Sequence, residues 1–321
     1  MKENFVTLFN YNFLPQGKML IDSIQKFPVI IWVVCLDRKL YEYFLKTNKS
    51  KNIKPIFIGN HEDKEMKKAK RNRPFLEYCF YLTPILSEII FKLDNRIKQV
   101  TYVDADIYFF KNPKPIFDEF KKSNKDIFLT LHGFSKESKK LEVNGKFCVQ
   151  FFIVKKNNFT KYFMQKWRKL CLESTKLDIK NNILGDQKYL DYLYKKNKNK
   201  IHVGKNKEYF QAPWSDNKFK ANNAIIFHFH GLRIKKDSIQ LYHSYKINYQ
   251  KIEFFYKPYV KMLITFLKIG KLQFKQLFLN EGTNIRIKII AIIKSYLFYI
   301  FTKRRLKKII IIKKFIETNK I

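Results

Sequence analysis

Cysteine is scarce in this chain, and its four residues, Cys35, Cys79, Cys148 and Cys171, lie far apart. No CxxC or similar spacing joins any two of them, which argues against a zinc ribbon or finger. The first three sit in apolar stretches, where a thiol behaves as a small hydrophobe. Long apolar runs are missing as well. The opening "MKENFVTLFNYNF" has no sustained apolar stretch behind its first lysine, so no signal peptide is expected. The longest uncharged run of the C-terminal region, Ser295 to Thr302, is far short of the roughly 20 residues that span a bilayer. A reducing, cytoplasmic setting follows as the expectation. Acidic residues are few: 27 Asp+Glu against 65 Lys+Arg leave a formal net charge of +38. Such an excess suggests an anionic partner, whether nucleic acid, anionic lipid or a phosphorylated substrate. A/T-rich codons also specify the abundant Lys, Asn, Ile and Phe, so part of the charge is compositional.

What is present is ample for a core: 46% hydrophobic and 17% aromatic residues in 321. "FVTLF" (5–9) reads as a first strand. Leu14, Met19, Leu20 and Ile24 then recur at roughly helical spacing. "VIIWVVCL" (29–36) is a continuous β-branched run of the kind buried in a parallel sheet. "KPIFIG" is a short strand, "HEDKEMKKAKRNR" a polar helix, and "LEYCFYLTPILSEIIFKL" an apolar helix that Pro84 must kink or restart. Strands alternating with helices predict an α/β domain with a mostly parallel sheet. "DIFLTLH", "KFCVQFFIVKKN" and "AIIFHFHGL" read as later strands, and "FTKYFMQKWRKLCLES" as an amphipathic helix. The texture changes near residue 250. From Ile252 to Ile321 there are 16 Lys+Arg and 3 Asp+Glu, a net of +13 in 70 residues. The predicted organisation is therefore an α/β domain over 1–250 and a basic, apolar-rich helical tail over 251–321. Such a tail suits attachment to an anionic membrane surface or packing on the domain.

Two carboxylates interrupt an otherwise apolar stretch, "QVTYVDADIYFF" (99–110). On an extended chain Asp104 and Asp106 share a face. At about 5 Å and an effective dielectric near 20 they repel by roughly 3 kcal/mol. A divalent cation reverses that sign, and oxygen ligands favour Mg²⁺ or Mn²⁺. The pair follows the apolar part of a strand, where open α/β sheets bind ligands. His228 and His230 in "HFHG" are similarly spaced, and on a strand they too would share a face.

Six segments occur together in order: "TLFNYNFLPQGKMLIDSI", "NRPFLEYCFYLTP", "YVDADIYFF", "GDQKYLD", "APWS" and "FHFHGL". With them the chain resembles the GT-A fold glycosyltransferases that use nucleotide-sugar donors. The nearest likeness is to bacterial enzymes related to family 8, which includes glycogenin and the lipooligosaccharide galactosyltransferases. The resemblance covers about residues 5–235, not the tail. It implies a Mn²⁺ or Mg²⁺ ion held by Asp104, Asp106 and His228, with His230 a phosphate contact or alternative ligand. It implies that Asp186 binds the transferred sugar or acceptor and that Gln187 lies near the anomeric carbon, although Asp186 also reads as a helix N-cap. Asn10 and Phe13 would meet the nucleotide base, Asp37 would face the nucleotide, and Arg73 would pair with the diphosphate. The sequence departs from that pattern in two places. Cys148 and Gln150 stand where N-x-G is usual, and "HGLRIKKDS" replaces the usual K-P-W, leaving Arg233 or Lys235 to serve the phosphates.

Two rival readings remain at this level. A nucleotidyltransferase would also use paired aspartates and a metal, but "FNYNFLPQGK" offers one glycine where it needs a Gly-rich basic loop. A nucleic-acid binder suits the charge, yet no RNA-recognition, zinc-finger or helix-turn-helix signature is present. The expected partners are a nucleotide-diphosphate sugar, a glycan or lipid-linked acceptor and an anionic membrane surface, with no nucleic acid. An inverting reaction would need a base such as Asp186 or Asp216; a retaining one would not.

Overall fold

The computed structural model describes residues 2–178, 183–235, 238–241, 245, 247–269 and 309–311. The chain divides into two compact units, Met1–His228 and Phe229–Ile321. The change of texture near residue 250 falls inside the second.

The first unit opens as the alternating pattern predicts, with β1 (Glu3–Phe9), α1 (Leu14–Ile24), β2 (Val29–Cys35), α2 (Arg38–Thr47) and β3 (Ile53–Phe57). Helices α3 (Lys64–Asn72), α4 (Phe75–Leu82) and α5 (Leu86–Leu93) follow. Pro84 restarts the apolar helix: a 3-10 turn over Thr83–Ile85 separates α4 from α5. Next come β4 (Gln99–Val103), β5 (Ile107–Phe109), α6 (Lys114–Ser123), β6 (Ile127–Leu131), β7 (Phe147–Lys155) and α7 (Asn158–Glu173). The unit closes with β8 (Leu177–Asp178), β9 (Ile183–Leu184), α8 (Lys188–Asn197), β10 (Ile201–Val203), β11 (Phe210–Gln211) and β12 (Ile226–His228).

Seven strands form the central sheet in the order β10-β6-β7-β4-β1-β2-β3. Strand β7 is antiparallel to both neighbours, and every other pairing in the sheet is parallel. This is an α/β, mostly parallel architecture. Residues such as Val6, Val34, Tyr102 and Phe152 are buried within it, and α5 and α7 bring Ile90 and Trp167 against the same core. A second sheet, β11-β12-β5, lies beyond the end of β4, with Ile107 of β5 opposite His228 of β12.

In the second unit β13 (Arg233–Lys235), β14 (Ser238–Gln240) and β15 (Ile309–Ile311) form an antiparallel sheet. Between β14 and β15, α9 (Tyr249–Lys251) runs through a π-helical turn at Ile252–Tyr256 into α10 (Lys257–Ile269). The tail is thus helical at its start, as expected, but Ile309–Ile311 are strand. A run of β-branched isoleucines favours that outcome. Val260, Leu263, Ile264 and Leu267 of α10 are all buried, so this helix spends its apolar stripe inside the protein. Among the described residues no helix is long and apolar enough to cross a membrane.

Candidate active site

Strand β4 ends at Val103, and the chain turns at once. The Ile107 amide donates to the Asp104 carbonyl at 3.2 Å, so Asp104-Ala105-Asp106 is a turn between β4 and β5. This corrects the extended geometry that the spacing predicts: the carboxylates converge because the chain bends. β12 then runs beside β5 and delivers His228. Its Nε2 lies 2.9 Å from Asp106 Oδ1 and 3.8 Å from Asp104 Oδ2. One ligand atom from each of the three residues lies within 4.8 Å of the others.

The surroundings are polar and enclosed. The Tyr102 hydroxyl donates to Asp104 Oδ1 at 2.6 Å, which leaves Oδ2 facing the histidine. His228 Nδ1 lies 2.9 Å from Gln150 Oε1, and the Trp214 ring of "APWS" meets the imidazole edge-on at 5.3 Å. Trp214 is itself held by its indole N–H on the His132 carbonyl at 2.7 Å. Burial works against a charged His228, but Asp106, Cys148 and Asp104 outweigh it and hold the ring well above its usual range. Burial raises Asp104; His228 pulls it back, Asp106 pushes it up, and the net is upward. Burial also opposes ionisation of Cys148, yet His132 and His228 draw its thiol down to about 7.

Asp186 belongs to the same electrostatic neighbourhood. Gly185, with φ +63, makes the left-handed turn before it, and α8 begins after it with Gln187, not Asp186, at the N-cap. The N-cap reading of Asp186 is therefore corrected: its side chain is buried and its carbonyl accepts from Trp167 Nε1 at 2.9 Å. Burial and the Asp104 charge raise its carboxyl to about 8, with a Thr83 hydrogen bond opposing. Gln187 is half-buried and donates from Nε2 to the Asn144 carbonyl at 3.0 Å.

At the carboxyl ends of β1 and β2 the predicted nucleotide residues come together. Asn10 caps a 3-10 turn at Tyr11–Phe13 by accepting from the Phe13 amide at 3.2 Å. Asp37 accepts from the Leu40 amide at 2.7 Å and, with its other oxygen, from the Tyr11 amide at 2.8 Å. It thereby ties the two loops together. Arg73 is placed differently from its predicted pairing with a diphosphate. Its guanidinium donates to the Cys171 carbonyl (2.7 Å), the Leu172 carbonyl and Thr175 Oγ1 (2.9 Å), capping the C-terminus of α7. His230 does not share a strand face with His228, because β12 ends at His228 and Gly231 turns the chain with φ +84. His230 is exposed, in the second unit, with Nδ1 at 3.1 Å from the Tyr245 hydroxyl.

A sequence model of the nucleotide-diphospho-sugar transferase family matches residues 31–239. The chain belongs to this family. The transferase is 27% identical to YfnD of Bacillus subtilis (strain 168) over 247 residues, which span 72% of this chain and 78% of YfnD. It is 25% identical to YfnF of the same organism over 254 residues, 73% of this chain and 83% of YfnF. In structure it is similar to the glycosyltransferase GlyE of Streptococcus pneumoniae TIGR4, with a TM-score of 0.50 and 13% identity; the match covers 84% of this chain and 64% of GlyE. The protein is a glycosyltransferase of the GT-A fold.

The donor set fits a small divalent cation. Ligands about 2.1 Å from such an ion lie about 3.0 Å apart when adjacent and about 4.2 Å apart when opposite, a range that spans the 2.9 and 3.8 Å between His228 Nε2 and the two aspartates. Tyr102, Thr83 and His132 also contribute to the site; Tyr102 and Thr83 lie within the segments "YVDADIYFF" and "NRPFLEYCFYLTP" without being singled out there, and His132 reads in sequence only as the end of a strand. Tyr102 had the clearer signal, since it stands two residues before Asp104 at the end of a strand. Cys148 and Gln150, which depart from the family pattern in sequence, are both inside the site.

Proposed function

We propose that this glycosyltransferase moves a sugar from a nucleotide-diphosphate donor to a glycan or lipid-linked acceptor, using Mn²⁺ or Mg²⁺ held by Asp104, Asp106 and His228. The observation that carries the reading is the convergence of these three side chains, from the turn after β4 and the end of β12, on one point. A bound ion would supply Lewis-acid neutralisation of the charge that develops on the leaving diphosphate. The chain's own residues do the rest. Tyr102 commits one Asp104 oxygen, so that the other stays directed at the ion. The loops after β1 and β2, joined through Asp37, offer Asn10 and Phe13 to the nucleotide. Asp186 keeps its proton at neutral pH through burial and the nearby Asp104, which makes it a hydrogen-bond donor to a sugar or acceptor hydroxyl. Gln187 stands beside it as the second polar contact. Arg73, occupied by α7, has no part in this scheme, and His230 remains a phosphate contact to be tested.

The same reading places the enzyme in synthesis of a bacterial surface polysaccharide, at the inner face of the cell membrane. Support comes from the net +13 of residues 252–321, since each Lys or Arg near an anionic surface contributes about 1 kcal/mol. With its stripe of Val260, Leu263, Ile264 and Leu267 buried, α10 itself offers such a surface charge and not an inserted apolar face.

The test is calorimetric binding of a panel of nucleotide sugars, with Mn²⁺ or with chelator, to the protein and to Asp104→Ala/Asp106→Ala. Metal-dependent binding of one donor, lost in the double variant, is the expected result. A folded protein that binds no donor with Mn²⁺ present would sink the proposal.

A further inference from the structure

The metal site is reached from behind by one residue of β7. Leu129 of β6 stands opposite Phe152, but its neighbour Thr130 stands opposite Cys148, so Val149, Gln150 and Phe151 lie between consecutive partners. This bulge is clamped: the buried Thr130 hydroxyl lies 3.0 Å from the Cys148 carbonyl and 3.1 Å from the Phe151 carbonyl. Bulges re-aim side chains and are common beside active sites. This one sends the fully buried Gln150 side chain to His228. Its main-chain carbonyl accepts from the Asp104 amide at 3.0 Å.

We propose that Gln150 is a positioning residue of the metal site, whose amide oxygen holds His228 with Nδ1 protonated and Nε2 facing the ion. Oε1 can only accept, so the ring nitrogen 2.9 Å away must donate. Turning the amide over would aim an NH₂ at Nδ1, which could accept it only in the Nε2–H tautomer, the form that turns a proton and not a lone pair toward the ion. On the opposite edge of the ring Nε2 faces carboxylate oxygens of Asp106 and Asp104, where a metal would take its lone pair. Histidine ligands commonly give their second N–H to a carbonyl or carboxylate that fixes the tautomer, and loss of that partner weakens metal binding 10–100-fold. Here one residue orients two ligands, His228 by side chain and Asp104 by main chain. The inference rests on the Asp104-Asp106-His228 reading and deepens it.

Titration with Mn²⁺ alone, by calorimetry, compares the wild-type protein with Gln150→Met, which keeps size without an acceptor, and Gln150→Glu, which keeps acceptors only. Gln150→Met should bind Mn²⁺ 10–100-fold more weakly, and Gln150→Glu should restore affinity to within about threefold of wild type or better. Gln150→Met binding within threefold of wild type would overturn the proposal while leaving the metal site standing. Wild-type protein that binds no Mn²⁺ would overturn both. Should Gln150→Met fail to fold, ¹⁵N-histidine NMR of the wild-type protein with Mg²⁺ decides, with His228 assigned by the signal lost in His228→Gln. An Nδ1–H tautomer supports the proposal, and an Nε2–H tautomer refutes it.

Discussion

Replacing Asp186 by Asn should make the protein less sensitive to alkali. In the folded chain this carboxyl is raised from 3.8 to about 8, first by burial and then by the Asp104 charge. An unfolded chain has neither influence. Between these two values the folded state therefore holds a proton that the unfolded state has released. Stability must fall as pH rises through that window, by about 1.4 kcal/mol per unit. Over the roughly four units separating 3.8 from 8 the loss reaches about 6 kcal/mol, an upper bound for a buried group. Asn keeps the size and cannot ionise, so the variant escapes this loss. Titrating groups that do not interact with Asp186 are common to both chains and cancel from their difference. Denaturant unfolding at pH 5 and pH 7 should show the gap between variant and wild type widening by about 3 kcal/mol in favour of Asn. A gap that stays constant would refute the reasoning, and so would a ¹³C-carboxyl titration of Asp186 with its midpoint near 4.

Arg73→Met should cost about 2–4 kcal/mol by uncapping α7, while leaving the KM for the donor within about threefold; a large rise in KM at unchanged stability would return Arg73 to the diphosphate. Tyr102→Phe removes the only hydroxyl that donates to Asp104 Oδ1 in the described structure and should weaken Mn²⁺ binding about tenfold; calorimetric titration checks this. Neutralising Lys303, Arg304, Arg305, Lys307 and Lys308 to Ser should weaken cosedimentation with phosphatidylglycerol vesicles at low salt by at least about tenfold, and unchanged binding would remove these five residues from membrane attachment.

Six of the seven strands of the central sheet were legible because continuous β-branched runs such as 29–36 have few other uses, whereas β10, three residues long, was not picked out; Pro84 marked the break between α4 and α5. Helices α2 and α6 were not picked out. Both are short and strongly charged, and only Leu40 and Phe44, or Ile116 and Phe120, are buried to give them a face. In the site the residue types were readable and the geometry was not. D-x-D spacing named Asp104 and Asp106, but a turn joins them, and whether a chain bends after β4 depends on the partner strand β12, which lies far along the sequence. The i, i+2 reading failed for His228 and His230 for a related reason: Gly231 takes the chain out of the strand. Arg73 shows the limit of charge as a guide, since an arginine suits helix carbonyls as well as it suits phosphates. Gln150 was marked only as a departure from N-x-G, because its role depends on a bulge that only the paired sheet reveals.

The pairing of β5 with β12 also sets a timetable for the newborn enzyme. Asp106 and His228 are 122 residues apart (228 − 106), so at about 5–20 residues per second the ribosome delivers the histidine some 6–24 s after the carboxylates. During that interval the two aspartates are without their third partner and β5 has an open edge. When β12 arrives, alignment decides everything: a slip of one residue would turn His228 to the opposite face of its strand and put Phe227 or Phe229 where the imidazole belongs. Metal present in the cell would bind well only to correctly aligned chains. The ion that is proposed to serve catalysis would then also act as a proofreader of folding, holding those chains that have completed the site.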